Sequence, residues 1–328
     1  MKCTNKKKRI RFFCFFCTAT ILLSGCSINK TNVSLPNAYN VYAQNDTFNN
    51  DLAYDYFAED LCVTKNIDFG TDQTDSQVAQ GAGVFNVTTK EVCYSQNLFG
   101  KLYPASTTKI LTAYVILKHC DLNSVVTVSK KAVDQAHDSS VCGLAAGDNV
   151  TVKDLLYGLM LKSGNDAAEA LAEHCSGSVE EFAKLMNEEA LKLGATNSHF
   201  VNPSGLPHED HYTTVYDMYL IFNEAIKMPK FVEIINAKMH QYAYTNTAGE
   251  SLTKTFYNTN RYVNKEETAP NGITVIGGKT GTTYAAGFCL VLYSNNKDGD
   301  DIISIVFKAD GKSNLYFLMN QILGRFAN

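Results

Sequence analysis

The sequence predicts an α+β fold. Strands from the two ends of the domain form one antiparallel sheet, and the segment between them forms an all-helical lobe. Three observations predict it. Short β-type runs open the regular region and return near its end, a block of helical periodicity separates them, and neither repeat nor linker interrupts the chain after residue 77. With 328 residues, 45% hydrophobic and 19% charged, the chain can bury a sizeable core. A cleft between two such lobes is where a site is expected.

The elements follow in order. "AQGAGVFNV" and "EVCYSQN" read as two short strands joined at "TTK". A helix starts at Ser106 and runs through Ile110 to Leu117, apolar nearly all round and therefore buried. "TVKDLLYGLMLK" carries Thr151 and Asp154 as a capping pair, and "DAAEALAEHC" is an alanine-rich helix. "SVEEFAKLMNEEALKLG" has Ser178 and Glu181 as a capping box and Gly194 as its stop, and another helix runs near "TVYDMYLIFNEAIK". "ITVIGGKTGTT", "GFCLVLYSN" and "DIISIVFKA" then read as three strands, the last two joined by the turn "NKDGD". The helix "LYFLMNQILGRF" follows them.

The N-terminus reads as a targeting segment. Lys2, Lys6, Lys7, Lys8, Arg9 and Arg11 form a positive region, and Phe12 to Leu23 an apolar run too short for an ordinary membrane span. It ends in "LSGC", which resembles a bacterial lipobox, with cleavage before Cys26 and lipid on that cysteine. Residues 1–25 are thus expected to be a lipoprotein signal peptide. Residues 26–76 are expected to be the lipid attachment and a mostly flexible tether, of which Tyr56 to Val63 can pack on the domain edge. Residues 77–328 are expected to form the folded domain. Lipid on Cys26 would hold the protein at the extracytoplasmic face of the bacterial cell membrane.

Composition excludes some functions. A formal net charge of −4 with no basic run in the mature part gives no reason to expect nucleic-acid binding. Cys3, Cys14 and Cys17 lie in the signal, so the C-x-x-C at Cys14/Cys17 supplies no zinc spacing, and no metal or organic cofactor is expected. Cys62, Cys93, Cys120, Cys142, Cys175 and Cys289 remain, most of them expected as buried free thiols.

Three short patterns carry the chemistry. Ser106 and Lys109 lie i and i+3 at the start of the buried helix, so their side chains meet on one face. A desolvated amine beside a hydroxyl is one way to make serine a nucleophile. The spacing alone is weak, since it recurs at Ser27/Lys30, Ser251/Lys254 and Ser294/Lys297. Ser163-Gly164-Asn165 falls at the break between two helices, where a polar turn can aim a hydroxyl and an amide into a cleft, although these are also ordinary turn residues. "GGKTGTT", Gly277 to Thr283, ends an apolar strand and joins a cation to glycines that permit close backbone approach.

In that order the patterns match the motif set of β-lactamases and penicillin-binding proteins. With "LYPASTTKILTA", "LMLKSGNDAAEALAEH", "NSHFVNPSGL", "TTVYDM" and "GKTGTTYAAGFCL", residues 77 to 328 resemble the D-alanyl-D-alanine carboxypeptidase family of low-molecular-weight penicillin-binding proteins. The resemblance implies a β-lactamase/penicillin-binding-protein-like fold with its site in the cleft. It implies that Ser106 forms an acyl-enzyme, that Lys109 takes the serine proton, and that Ser163 relays a proton to the leaving amine. Asn165 would hold the substrate backbone, and the N–H groups of Ser106 and Thr282 would form the oxyanion hole. Lys279, Thr280 and Thr282, with Gly281 between them, would receive the terminal carboxylate of a peptidoglycan stem peptide ending in D-Ala-D-Ala. β-Lactams would be covalent inhibitors.

Two departures matter. Where many relatives carry a carboxylate-binding arginine the sequence reads "KADGKSN", with Lys312 as the nearest candidate. Several relatives also carry a further β-rich domain and a C-terminal amphipathic anchor, whose place the lipid on Cys26 is expected to take. The alternatives are a class A-like β-lactamase and a non-hydrolytic lipoprotein that binds peptidoglycan or senses penicillin. Against the β-lactamase, Gly164 stands where those enzymes usually have Asp, and Asn187 to Asp217 offers no counterpart of their glutamate loop. His211, in a loop bordering the implied cleft, is expected to position rather than to transfer protons. His137, His174 and His240 show no metal-ligand spacing.

Overall fold

A computed structural model describes residues 58–328. The expected signal peptide, Cys26 and most of the expected tether lie outside them. Strands β1 (Gly81–Asn86) and β2 (Glu91–Gln96) form a hairpin, and β7 (Thr274–Thr283), β8 (Gly287–Asn295) and β9 (Asp301–Ala309) a meander. They join as one antiparallel sheet in the order β2-β1-β9-β8-β7. The two ends of the domain therefore share one sheet, as the strand-helix-strand order predicts.

Both faces of that sheet are covered, which is why its strands read as nearly continuous apolar runs. Phe85, Val291, Ile303, Ile305 and Phe307 face the helical lobe, whereas Ala82, Val84, Leu290, Leu292, Ile302 and Val306 face α9 (Lys312–Phe326). Helix α9 presents Leu315, Leu318, Met319, Ile322 and Leu323 to that second face at helical spacing. Burying five such side chains is worth about 10 kcal/mol of transfer free energy, set against the entropy of ordering them.

The helical lobe is built around α1 (Lys109–His119), whose residues 109–116 are all buried. Around it lie α2 (Lys130–Val133), α3 (Val152–Tyr157), α4 (Asn165–Ser176), α5 (Val179–Lys192), α6 (Val215–Ile226) and α7 (Pro229–Asn236). The short α8 (Arg261–Asn264) precedes β7. Thr151 and Ser178 cap α3 and α5 by accepting hydrogen bonds from the N–H groups of Asp154 and Glu181, as expected. The stretch Gly158–Lys162 continues α3 as a π-helix, a widened turn that often marks a functional site.

Sequence reading missed a second sheet. Strands β3 (Val125–Thr127), β4 (Asn149–Thr151), β5 (Met239–Thr245) and β6 (Ser251–Tyr257) form a four-stranded layer on the helical side. The packed body also begins earlier than residue 77. Cys62 is fully buried, its N–H donates to the Tyr219 hydroxyl, and its carbonyl accepts from Tyr216. Phe69 pairs with Ser95 of β2. Of the expected tether, residues 61–76 therefore belong to the fold, because they cover an edge of the sheet and an end of α6. All six cysteines among the described residues are free; Cys62 and Cys289 are buried and the other four partly so.

Candidate active site

Ser106 lies in a 3-10 turn, Ala105–Thr108, that leads into α1. Ala105, just before it, holds a positive φ of 48° that costs a non-glycine residue on the order of 1–3 kcal/mol. Gly205 explains how the turn is held. A Cβ on Gly205 would lie 1.8 Å from the Ala105 carbonyl oxygen, and its φ is +85°. The loop 202–206 can reach the nucleophile turn only because residue 205 lacks a side chain. On the other side β7 approaches equally closely: a Cβ on Gly281 would stand 3.0 Å from Pro104 O, Ser106 N and Thr107 N. The strand's backbone is thereby brought against the N–H of Ser106.

Lys109 is fully buried, and its Nζ lies 3.1 Å from Ser106 Oγ, 2.8 Å from Asn165 Oδ1 and 2.6 Å from the Ser204 carbonyl. Two of these partners, the carbonyl oxygens, can only accept. As an ammonium the group would donate to all three oxygens; as a neutral amine it would donate to the two carbonyls and offer its lone pair to the Ser106 hydroxyl. Desolvation by burial, and then the charge of Lys279, hold Lys109 well below the ordinary lysine range. Burial and the neighbouring Lys279 thus favour the neutral amine beside the Ser106 hydroxyl.

Ser163 ends the π-helix in a left-handed conformation, φ 64°, which swings its hydroxyl out of the helix end. The Lys279 amine donates to Ser163 Oγ at 3.0 Å and to the Thr280 carbonyl at 2.9 Å. Burial pulls Lys279 down to about 7. Asn165 opens α4 and gives its Oδ1 to Lys109, so the tip of the second motif bridges the first. The π-turn, the α4 start and β7 thus bring Ser106, Lys109, Ser163, Asn165 and Lys279 into one hydrogen-bonded cluster.

Two adjoining cavities open on this cluster, of about 290 and 280 Å³. Ser106, Ser140 and Thr282 line both. The first also meets Ser163, Thr259, Thr280, Gly281 and Lys312. The second meets Asn165, Ser204 and Leu206. Lys312 therefore does reach the site, from the first turn of α9, which carries no acidic residue. A helix N-terminus and a lysine there both favour an anion. Lys279 stands differently from the expectation. Only 1% exposed, it lies behind the cavity wall, so the groups offered directly to a carboxylate are Thr280, Thr282 and Lys312.

The sequence did not single out several contributors. Ser140 borders both cavities while its hydroxyl donates to the Lys162 carbonyl and its carbonyl accepts from the Asn165 N–H. The buried Asp166 carboxylate accepts from the N–H groups of Cys142 and Leu144, fixing the loop that carries Ser140. The Thr259 hydroxyl meets that of Thr280 at 2.9 Å. His211 is buried behind the site, where its Nδ1 accepts from the Val201 N–H and its Nε2 faces Thr108 Oγ1 at 2.8 Å. Nε2 therefore carries the proton, and burial, reinforced by nearby cations, depresses its pKa to about 4. It is a neutral brace for the turn and touches neither cavity. His240 is occupied by Asp154 and stacks on Tyr157, and His174 meets Ser124.

The family described as D-alanyl-D-alanine carboxypeptidase matches residues 69–311. D-alanyl-D-alanine carboxypeptidase DacF of Bacillus subtilis is 36% identical over 237 residues, covering 70% of this chain and 57% of the relative. The D-alanyl-D-alanine carboxypeptidase of Streptomyces sp. strain K15 is 35% identical over 239 residues, 70% of this chain and 80% of that protein. The crystal structure of the Streptomyces K15 DD-transpeptidase superposes with a TM-score of 0.68 at 31% identity, covering 79% of this chain and 98% of that one.

Proposed function

The chain belongs to the D-alanyl-D-alanine carboxypeptidase family, and we propose that it is a serine-type D-Ala-D-Ala carboxypeptidase acting on peptidoglycan stem peptides. The observation that carries this reading is the buried Lys109 amine, held 3.1 Å from Ser106 Oγ by the Asn165 amide oxygen and the Ser204 carbonyl. Ser106 Oγ attacks the carbonyl of the penultimate D-alanine while its proton passes to Lys109. The oxyanion forms between the N–H groups of Ser106 and Thr282, a pairing for which the close approach at Gly281 leaves room. Ser163, hydrogen-bonded to Lys279, relays that proton from Lys109 to the departing D-alanine amine, so that Lys109 is neutral again when water enters. Thr280, Thr282 and Lys312 receive the carboxylate, with Lys279 adding positive potential from behind. Water, activated by the same Lys109, then releases the shortened peptide.

A β-lactam presents a strained amide carbonyl near a carboxylate and would acylate the same serine. Intact-mass spectrometry should find a penicilloyl adduct on the wild type and none on Ser106→Ala. Absence of the adduct from folded wild type would contradict the reading.

The lipid anchor belongs to the same proposal. It is supported by the positive N-terminal region, the short apolar run and the "LSGC" tetrapeptide ending at Cys26. Metabolic labelling with an alkyne fatty acid should tag the protein, and Cys26→Ser should abolish the tag. Persistent labelling of the variant would place any lipid elsewhere.

A further inference from the structure

The two cavities that meet at Ser106 carry opposite charge in their linings. Among the lining side chains of the first, the single charged one is Lys312. In the second it is Asp138, which stands with Ser139, Ser140, Leu206, Pro207 and Tyr284. Neither Lys312 nor Asp138 has an ion-pair or hydrogen-bond partner among the described residues. The buried carboxylates of the helical lobe are all engaged. Asp154, Asp166 and Asp217 are bonded through their side chains, and Asp148 caps the Ala145 N–H. Asp138 is exposed, in the loop preceding Ser140. Tyr284 projects fully into solvent on the opposite side, one residue beyond β7.

The polarity fixes a direction for the substrate. A peptide whose C-terminal carboxylate lies at Lys312 and whose scissile carbonyl lies at Ser106 must run its acyl portion through the second cavity. We propose that Asp138 is a specificity-determining residue that receives a primary amine on a side chain of that acyl portion. The preferred substrate is then a peptide ending in D-Ala-D-Ala with a free, cationic amine upstream of the cleaved bond. Leu206, Pro207 and Tyr284 supply apolar walls for the methylene stem of such a side chain, as amphipathic amines require. The inference rests on the carboxypeptidase reading and adds to it the chemistry of the acyl side.

The test measures D-alanine release from two peptides ending in D-Ala-D-Ala that differ only in the upstream lysine, free or N-acetylated at its side chain. The wild type is expected to favour the free amine by about two- to fivefold in kcat/KM, the range for an exposed ion pair. Asp138→Asn should remove that preference by slowing the free-amine peptide while leaving the acetylated one unchanged. Asp138→Lys should invert it. Retention of the preference in both variants, or cleavage of both peptides at equal rates by wild type, overturns the assignment of Asp138 and leaves the carboxypeptidase reading intact. Cleavage of neither peptide by wild type overturns both.

Discussion

Lys109 sits where a charged ammonium would be costly, and the residues around it are those that make it neutral. Burial and the nearby Lys279 both disfavour its protonated form, so its pKa is depressed and the amine is free to act as a base above that depressed value. The sign of a perturbation follows. Lys279→Met removes a positive neighbour, so the Lys109 pKa rises and the acid limb of the acylation pH profile moves to higher pH. Acylation at neutral pH should also fall by about 10²-fold or more, because the partner of Ser163 is lost. A pH series of acylation rates measures both effects; an acid limb that stays in place would mean that Lys109 does not titrate in this step. At this scale the sequence was legible where chemistry was local. Ser106 and Lys109 share a helix turn, and Lys279 stands in a Lys-Thr-Gly that occurs once. Ser140 and Thr259 are common residue types delivered by tertiary contacts, and Ser204 contributes only a carbonyl, which no side-chain pattern can reveal.

Among the elements, two glycines set how close backbone can come to the nucleophile turn, with different expected costs. Gly205→Ala places a methyl against the Ala105 carbonyl and forces a positive φ on alanine. It should cost about 3 kcal/mol or more, read as a lowered melting temperature with loss of activity. Gly281→Ala meets backbone at 3.0 Å without positive φ, so β7 must shift by a few tenths of an ångström. The fold should survive with a modest change in melting temperature while acylation slows about tenfold or more, because the strand edge of the oxyanion hole moves. Equal loss of stability in both variants would contradict this separation. The same scale shows why some elements escaped sequence reading. The hairpin of β5 and β6 packs on one side only, so its strands mix polar and apolar residues and show no run like those of β8 and β9. Its turn signal, Asn246 to Gly249, was present but adjoined no conspicuous apolar pattern, whereas α7 was legible in Pro229 followed by Phe231, Ile234 and Ile235 at helical spacing and was overlooked.

At the scale of the described domain, one sheet joins strands from its two ends, and the turn before one buried helix carries Ser106. The fold class followed from element order because strands that are buried on both sides cannot conceal their composition. The N-terminal boundary was harder to place. Residues 61–76 are polar and irregular, and they are held by a few contacts with the distant Tyr216, Tyr219 and Ser95. A protein beginning at residue 77 should therefore be less stable than one beginning at residue 58 by about 2–5 kcal/mol, since burial of Cys62 and several hydrogen bonds are lost. Urea denaturation of the two proteins measures this, and equal midpoints would show that the segment adds nothing.

The measurement closest to the central claim is D-alanine release from a peptide ending in D-Ala-D-Ala by soluble protein beginning at Ser27, with Ser106→Ala as control. The account predicts release by the wild type and none above background by the variant. Release that persists in Ser106→Ala, or its absence from folded wild type, would contradict the assignment of Ser106 and Lys109 as nucleophile and base.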